Sequence, residues 1–484
     1  MQDRPVLRIR APNTRLAERR YVFDLVFGEW LGIDYDLEPG DARLVTIHLA
    51  GDLQGRHITF PDALFDTREE DWLTIRSLPP TPLAYARNPG VLSASPPGAD
   101  QKSPTLSGAP LPLLYGHLAP DGLVWRLTDA GAEFSMDLFG SVFFVLTRYE
   151  EAVLPDRDSR QRFPAGASLA AAEGLLLRPI VDEYLEVLWG SLHRVWPTLP
   201  RRPSRFRFRL THDVDQPWAA RRSRSVLGDL IVRHDPVLAA RRLRAFSDAR
   251  AGRYDRDPFD TFELLMDISE RHGLKSLFYF QAGSRDGDFD FRYGISDSRI
   301  TRVLRRIHDR GHEVGLHSSY LSYRSAPRIR FELDALRSAC REAGFDQPSW
   351  GIRQHYLRFA NPITWRCQDQ AGLDHDSTVG WVEQVGFRAG TGREYPVFDL
   401  MERRQLRLRE RPLLIMDGAL FVSVAHDMEA ARSAALKIVT DCRRRNVDAV
   451  VLFHNHTIGQ TRQRRLYTDL VSQCMRGVDP ELND

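Results

Sequence analysis

Cysteine is scarce in this chain of 484 residues: there are four, Cys340, Cys367, Cys442 and Cys474, and no two form a Cys-x-x-Cys pair. That argues against a disulfide framework or a zinc ribbon and suits a reducing compartment. No run approaches the roughly 18 apolar residues that would span a bilayer. Met1 to Arg20 carries charge throughout and lacks the apolar centre of a secretory signal. A cytoplasmic protein is the expectation. A charge excess of one sign is also missing. The formal net charge is +2, so nothing global points to nucleic acid, although arginine is abundant in places. Apolar surface is plentiful: 42% of residues are hydrophobic, enough for sizeable cores. The length predicts two domains, or one with a large extension.

Residues 1–200 mix short helical and strand patterns and form the first expected domain, α+β in class. Leu44 to Leu49 reads as a strand. Residues 79–116, rich in Pro, Ala, Gly and Ser, read as a loop-rich insertion. Met136 to Glu151 reads as one strongly apolar helix with an acidic end, and Ile180 to Trp196 as an amphipathic helix. Pro197 to Ser204, with two arginines and three prolines, reads as the linker.

From residue 205 to 484 the pattern changes to helix–strand alternation. Helices over Phe262–His272, Ile300–Arg310, Arg328–Ala343 and Glu429–Asn446 each stop at Gly or Asn. Each leads into an apolar strand, ending respectively at Phe280, His317, Arg353 and His454. Such units argue for a parallel α/β sheet or barrel. In these folds the carboxyl ends of the strands carry the chemistry. An insertion at 219–260 interrupts the pattern, with ten arginines and helical spacing at Leu227, Leu230 and Ile231.

The most informative motif follows the strand-like run Phe206 to Leu210: Thr211-His212-Asp213-Val214-Asp215. Strand side chains alternate faces, so Asp213 and Asp215 point the same way. Two adjacent carboxylates are costly unless a cation lies between them or one holds a proton. A divalent metal with a nearby general base is a common reason to build such a pair. A calcium loop or a surface turn is the alternative. Downstream, His317, Arg353 and His454 each end a strand-like run, and together they favour the metal reading.

Taken in order, Thr211-x-Asp213-x-Asp215, His317-Ser318, Arg353-x-x-Tyr356, Asp376-Ser377 and Leu452-x-His454 resemble the polysaccharide deacetylase family, carbohydrate esterase family 4, over residues 205–460. The whole chain resembles a bacterial branch of it associated with surface polysaccharide biosynthesis. In that branch an N-terminal region precedes the deacetylase fold, and a helix end like Thr147-Arg148-Tyr149-Glu150-Glu151 recurs. The resemblance implies an α/β deacetylase-type distorted (β/α) barrel after the smaller α+β domain, and a divalent metal, zinc. Asp213 would be the general base, Asp215 and His317 metal ligands, Arg353 the partner of the base, and His454 the general acid with Asp376 orienting it. Tyr356 would lie at the substrate, by the oxyanion site. The chain departs from the family twice: Leu321 stands where a second histidine is usual, and His355 where proline is usual. His355 or His456 could supply the third ligand that a catalytic zinc site needs.

Each residue has a plainer reading too. His317 could be a hydrogen-bonded core histidine, Arg353 the partner of a surface acid, and Asp376 a turn residue. His355 could serve packing or substrate binding, and His456 could be a bystander to His454. His212, on the other strand face, is expected to be structural. The implied reaction is removal of an N-acyl group, acetyl in the leading reading, from a nucleotide- or lipid-linked amino sugar. No nucleic-acid partner is expected, and the arginine-rich insertion could touch a membrane surface. A degenerate fold that binds or scaffolds without catalysis is the second reading, and another acyl transfer the third.

Overall fold

Alternation sets the first sheet. In β1 (Val6–Pro12) Leu7, Ile9 and Ala11 are buried while Arg8 and Arg10 face water, as period-2 side chains require. The computed structural model describes residues 5–87, 109–219, 234–250, 257–283, 289–290, 293–423 and 427–476. β2 (Asp34–Gly40), β3 (Val45–Leu49), β4 (His57–Phe60), β7 (Trp125–Thr128) and β8 (Gly131–Phe134) complete a six-stranded sheet, in the order β2-β1-β3-β4-β8-β7. The 79–116 insertion is not all loop: β5 (Ala84–Ala86) and β6 (Leu111–Leu113) pair antiparallel. Its middle, 88–108, lies outside the described residues.

The apolar helix expected over 136–151 is two helices, Leu138–Leu146 and Tyr149–Val153. Arg148 between them takes a left-handed backbone, φ 52. Its guanidinium is buried and bonds Glu150, Glu151 and the carbonyl of Arg388. A buried charge must be paired, and the break in the helix lets Arg148 reach those partners. The amphipathic helix Ile180–Val195 packs beside them.

The second sheet draws its strands from the other side of segment 197–207. They are β9 (Phe208–Val214), β10 (Ser276–Phe280), β11 (Glu313–Ser318), β12 (Gly351–Gln354), β13 (His375–Asp376), β14 (Tyr395–Asp399), β15 (Arg404–Glu410), β16 (Leu413–Met416) and β17 (Ala449–Leu452). The order is β14-β15-β13-β12-β11-β10-β9-β17-β16, parallel throughout except for the antiparallel edge pair β14/β15. The distorted-barrel expectation becomes a curled half-barrel, open between β14 and β16. Helices Phe262–Arg271, Ser298–Asp309, Ala326–Glu342 and Met428–Arg444 alternate with its strands. Two of them end where Gly311 and Gly344 turn at positive φ, the usual helix stop. Of the arginine-rich insertion, the helix Pro236–Arg250 is described; Leu227, Leu230 and Ile231 are outside the described residues.

One continuous apolar core runs through both sheets. Buried polar contacts stitch the seam: Arg388 to Glu151 at 2.6 Å, Arg393 to Asp182 at 2.8 Å, and the Tyr21 hydroxyl to the carbonyl of Pro396 at 2.8 Å. Among the described residues no helix is long and apolar enough to cross a membrane.

Candidate active site

The parallel pairing of β9 through β12 and of β17 with β9 brings five carboxyl ends together. Alternation along β9 sends Asp213 to one face and His212 to the other. His212 is buried against Phe278, and its Nδ1 lies 2.9 Å from the carbonyl of Phe453. Burial pushes its imidazole down to about 4, so it is neutral and structural, as its register predicts.

Arg353 ends β12 beside His317 of β11. It is fully buried, and each of its nitrogens has work. Nη1 donates to Asp213 at 2.8 Å and to Thr211 Oγ1 at 3.0 Å; Nε and Nη2 donate to the carbonyl and hydroxyl of Ser377, both at 2.9 Å. Its guanidinium lies 4.5 Å over the Tyr279 ring. That ring occupies the space a Cβ at Gly315 would need, which is the physical reason for the glycine two residues before His317.

Asp215 sits among three histidines. His317 Nε2 is 3.2 Å and His355 Nε2 3.6 Å from its Oδ1, and His454 Nε2 is 3.7 Å from its Oδ2. Burial raises the Asp215 carboxyl, but His355, His317 and His454 outweigh burial and hold it far below the usual range. Burial lowers His317, and the carboxylates of Asp213 and Asp215 more than offset it, so the net shift is upward.

Ligating atoms of Asp215, His317 and His355 all lie within 4.8 Å of one another. Hydrogen bonds behind them orient both rings. Nδ1 of His317 is 2.9 Å from the carbonyl of Arg353, and Nδ1 of His355 is 2.8 Å from Asp290. The carbonyl accepts only, so Nδ1 of His317 carries hydrogen and its Nε2 faces Asp215; at Nδ1 of His355 the Asp290 carboxylate sits beside the Gln281 amide nitrogen, 3.2 Å away. Asp215 Oδ1 and His317 Nε2 are buried with no hydrogen-bond partner. Two imidazoles and a carboxylate converging in this way fit a divalent metal of the zinc class. The third member of the set is His355. Leu321 is 49% exposed and leaves this place to it.

His454 follows β17. Its Nδ1 donates to Asp417 at 2.7 Å, and its backbone N–H donates to the same carboxylate at 3.0 Å. Burial lowers this imidazole, but Asp417 first, then Asp215 and Asp213, push it up to about 10. His456 lines the same cavity, with its ring 5.4 Å from that of His454.

Asp376 does not orient His454. It is a register partner of Glu410 across β13/β15 and accepts from Thr378. Asp417 holds His454 instead. Its signal was legible, an acid at the end of the apolar run Leu413 to Met416. Asp290, behind His355, follows no strand and gave no such signal. Burial pushes both Asp376 and Glu410 up, and the Asp376 charge raises Glu410 further. The folded pair therefore binds more protons than the unfolded chain above the ordinary carboxyl range. Its contribution to stability is complete below that range and falls as pH rises through the folded values. Urea unfolding across pH is expected to show this decline, and Glu410→Gln, which donates to Asp376 without titrating, to flatten it by about 1.4 kcal/mol per pH unit inside the window. An unchanged slope would mean that Glu410 is not the group that titrates.

A cavity of 230 Å³ opens over this cluster, with Asp213, His454 and Tyr356 in its wall. Tyr356 and Leu357 both take left-handed backbone, φ 60 and 51, which turns the chain sharply at the cavity. Such conformations persist only when surroundings hold them. Arg162, from the first 200 residues, does so by donating Nη1 to the carbonyl of Tyr356 at 2.9 Å. Arg160 places its guanidinium 4.2 Å over the Tyr356 ring. One of its terminal nitrogens is buried without a hydrogen-bond partner, and no carboxylate pairs with it among the described residues. No strand-end or motif signal in the sequence marks either arginine.

A family model described as a family of unknown function (DUF7033) matches residues 7–197. No curated protein matches the chain. Among solved structures, the chain is similar to a candidate polysaccharide deacetylase from Mycobacterium smegmatis, with TM-score 0.37 and 14% identity, covering 57% of this chain and 86% of that one. It is also similar to a mutant of a CE4 family pseudoenzyme with restored enzymatic activity, with TM-score 0.31 and 11% identity, covering 58% and 69%. Likeness at this level carries no argument about the site, which stands on its own geometry.

Proposed function

We propose that the chain is a metal-dependent hydrolase that removes an N-acyl group, acetyl in the simplest case, from a nucleotide- or lipid-linked amino sugar. Its setting in bacterial surface polysaccharide biosynthesis rests on the sequence resemblance. One observation carries the chemistry: a carboxylate held by an arginine and a histidine held by a carboxylate share a cavity with Asp215, His317 and His355.

Amide hydrolysis needs a base for water and an acid for the leaving nitrogen. Asp213, paired with Arg353, is the acceptor for the water proton. His454 presents Nε2 to the cavity while Asp417 fixes Nδ1–H, and it carries the proton the departing amine needs. Opposite environments thus assign opposite roles to the two groups. A zinc-class ion held by Asp215, His317 and His355 would supply Lewis acidity to the acyl oxygen and to water. Tyr356 offers its ring to a sugar face. Arg160, with no carboxylate partner among the described residues, suits a phosphate in the linked substrate.

The test is acetate release. UDP-N-acetylglucosamine and neutral N-acetylglucosamine oligomers, incubated with the purified protein, separate charged from neutral substrates. Release is expected with the linked sugar, and Arg160→Ala is expected to raise its KM about tenfold while leaving kcat nearly unchanged. Equal KM in the variant would remove Arg160 from substrate binding. No acetate from any N-acetylated amino sugar, linked or free, would count against the hydrolase reading.

A further inference from the structure

A second cavity, of 410 Å³, lies at the opposite end of the second sheet, beside the starts of β9 and β17. Its wall joins Glu29 and Trp30 from one side of the seam, Arg202 and Arg207 from the connecting segment, and Arg393 and Asp448 from the other side. The lead-in to β9 alternates strictly: Phe206, Phe208 and Leu210 are buried, while Arg205, Arg207 and Arg209 are not. One face of this extended segment is therefore a row of guanidiniums.

The acids nearby are already taken. Asp448 pairs with Arg209 at 2.6 Å. Glu29 and Glu394 pair with Arg409, and Glu394 also with Arg411 at 2.7 Å. Arg393 is held by Asp182. Arg202 donates Nη1 to the carbonyl of Glu29 at 2.7 Å; Arg205 and Arg207 remain, and among the described residues no carboxylate lies within ion-pair distance of any of the three. Trp30 is 7% exposed, and its indole N–H is buried without a partner. A buried donor left unmade costs about 1–3 kcal/mol, so each such group asks for an explanation.

We propose that this cavity binds a phosphate-bearing small molecule. Guanidinium forks match phosphate oxygens, and the volume lies in the range of small-molecule sites. β9 runs for seven residues between this cavity and Asp215, roughly 20 Å at strand rise. The bound molecule is therefore an effector or an anchor rather than a group within reach of Asp213 and His454. Because the wall comes from both sides of the seam, the ligand also ties residues 1–200 to the second sheet. This inference does not depend on the proposed hydrolase activity.

The test is titration calorimetry of the full chain with ADP and with inorganic phosphate, in wild type, Arg205→Ala, Arg205→Ala/Arg207→Ala and Asp215→Ala. The expected result is saturable binding of at least one probe, one per chain. It should weaken about tenfold or more in the double variant and persist in Asp215→Ala. Arg205 is exposed, so its single variant tests the site without risk to folding and should weaken binding in the same direction. ADP binding tighter than phosphate identifies a nucleotide-sized ligand, and equal affinities a phosphate group alone; either supports the site. Binding by neither probe, wild-type affinity in the double variant, or loss in Asp215→Ala with retention in the double variant would each overturn it.

Discussion

Replacing His454 by alanine is expected to lower kcat about a hundred- to ten-thousand-fold, the range of general acid–base catalysis, and to leave divalent-metal content at the wild-type level. The split follows from position. His454 Nε2 reaches the cavity but stands apart from the set formed by Asp215, His317 and His355. Its other nitrogen is committed to Asp417. Asp417→Asn is expected to cost less, about 10- to 100-fold. It should also move the alkaline limb of the rate profile to lower pH, because Asp417 is the largest influence holding the imidazole proton. Elemental analysis beside steady-state kinetics checks both variants. A His454→Ala protein that loses its metal would make this histidine a ligand, and one with wild-type kcat would move the acid elsewhere.

Arg353→Met is expected to cost about 3–5 kcal/mol of folding stability, the typical loss when one partner of a buried ion pair is removed. Arg353 and Asp213 are both buried, and methionine fills much of the same volume, so the loss reports pairing rather than a void. The guanidinium also satisfies Thr211 and Ser377, which joins β9, β12 and the segment after β13. Arg353→Lys keeps the charge without the fork and is expected to recover part of the loss. Urea denaturation measures all three proteins. A methionine variant within about 1 kcal/mol of wild type would mean that Asp213 is held by other groups.

The site was legible because strand ends carry it. Asp213, Asp215, His317, Arg353 and His454 each follow an apolar run, and period-2 alternation alone separates Asp213 from His212. The same rule, applied to Leu413 to Met416, leads to Asp417, whereas the family resemblance points to Asp376. β13, of two residues, is shorter than any hydrophobic pattern can reveal, and β15 is interrupted by arginines. The break at Arg148 was hidden because its cause is tertiary: a buried guanidinium that needs Arg388 and two glutamates. Arg160 and Arg162 were hidden for the same reason, since they reach the cavity across about 200 residues of chain.

The claim on which the rest depends is that Asp215, His317 and His355 hold a divalent metal. Elemental analysis of the purified chain beside Asp215→Ala, His317→Ala and His355→Ala tests it most directly. One zinc-class ion per chain, lost in all three variants, is the predicted result. No bound metal in the wild type, and none taken up when zinc, manganese, cobalt or nickel is supplied, would contradict it and leave a non-catalytic glycan-binding role as the reading of this cavity.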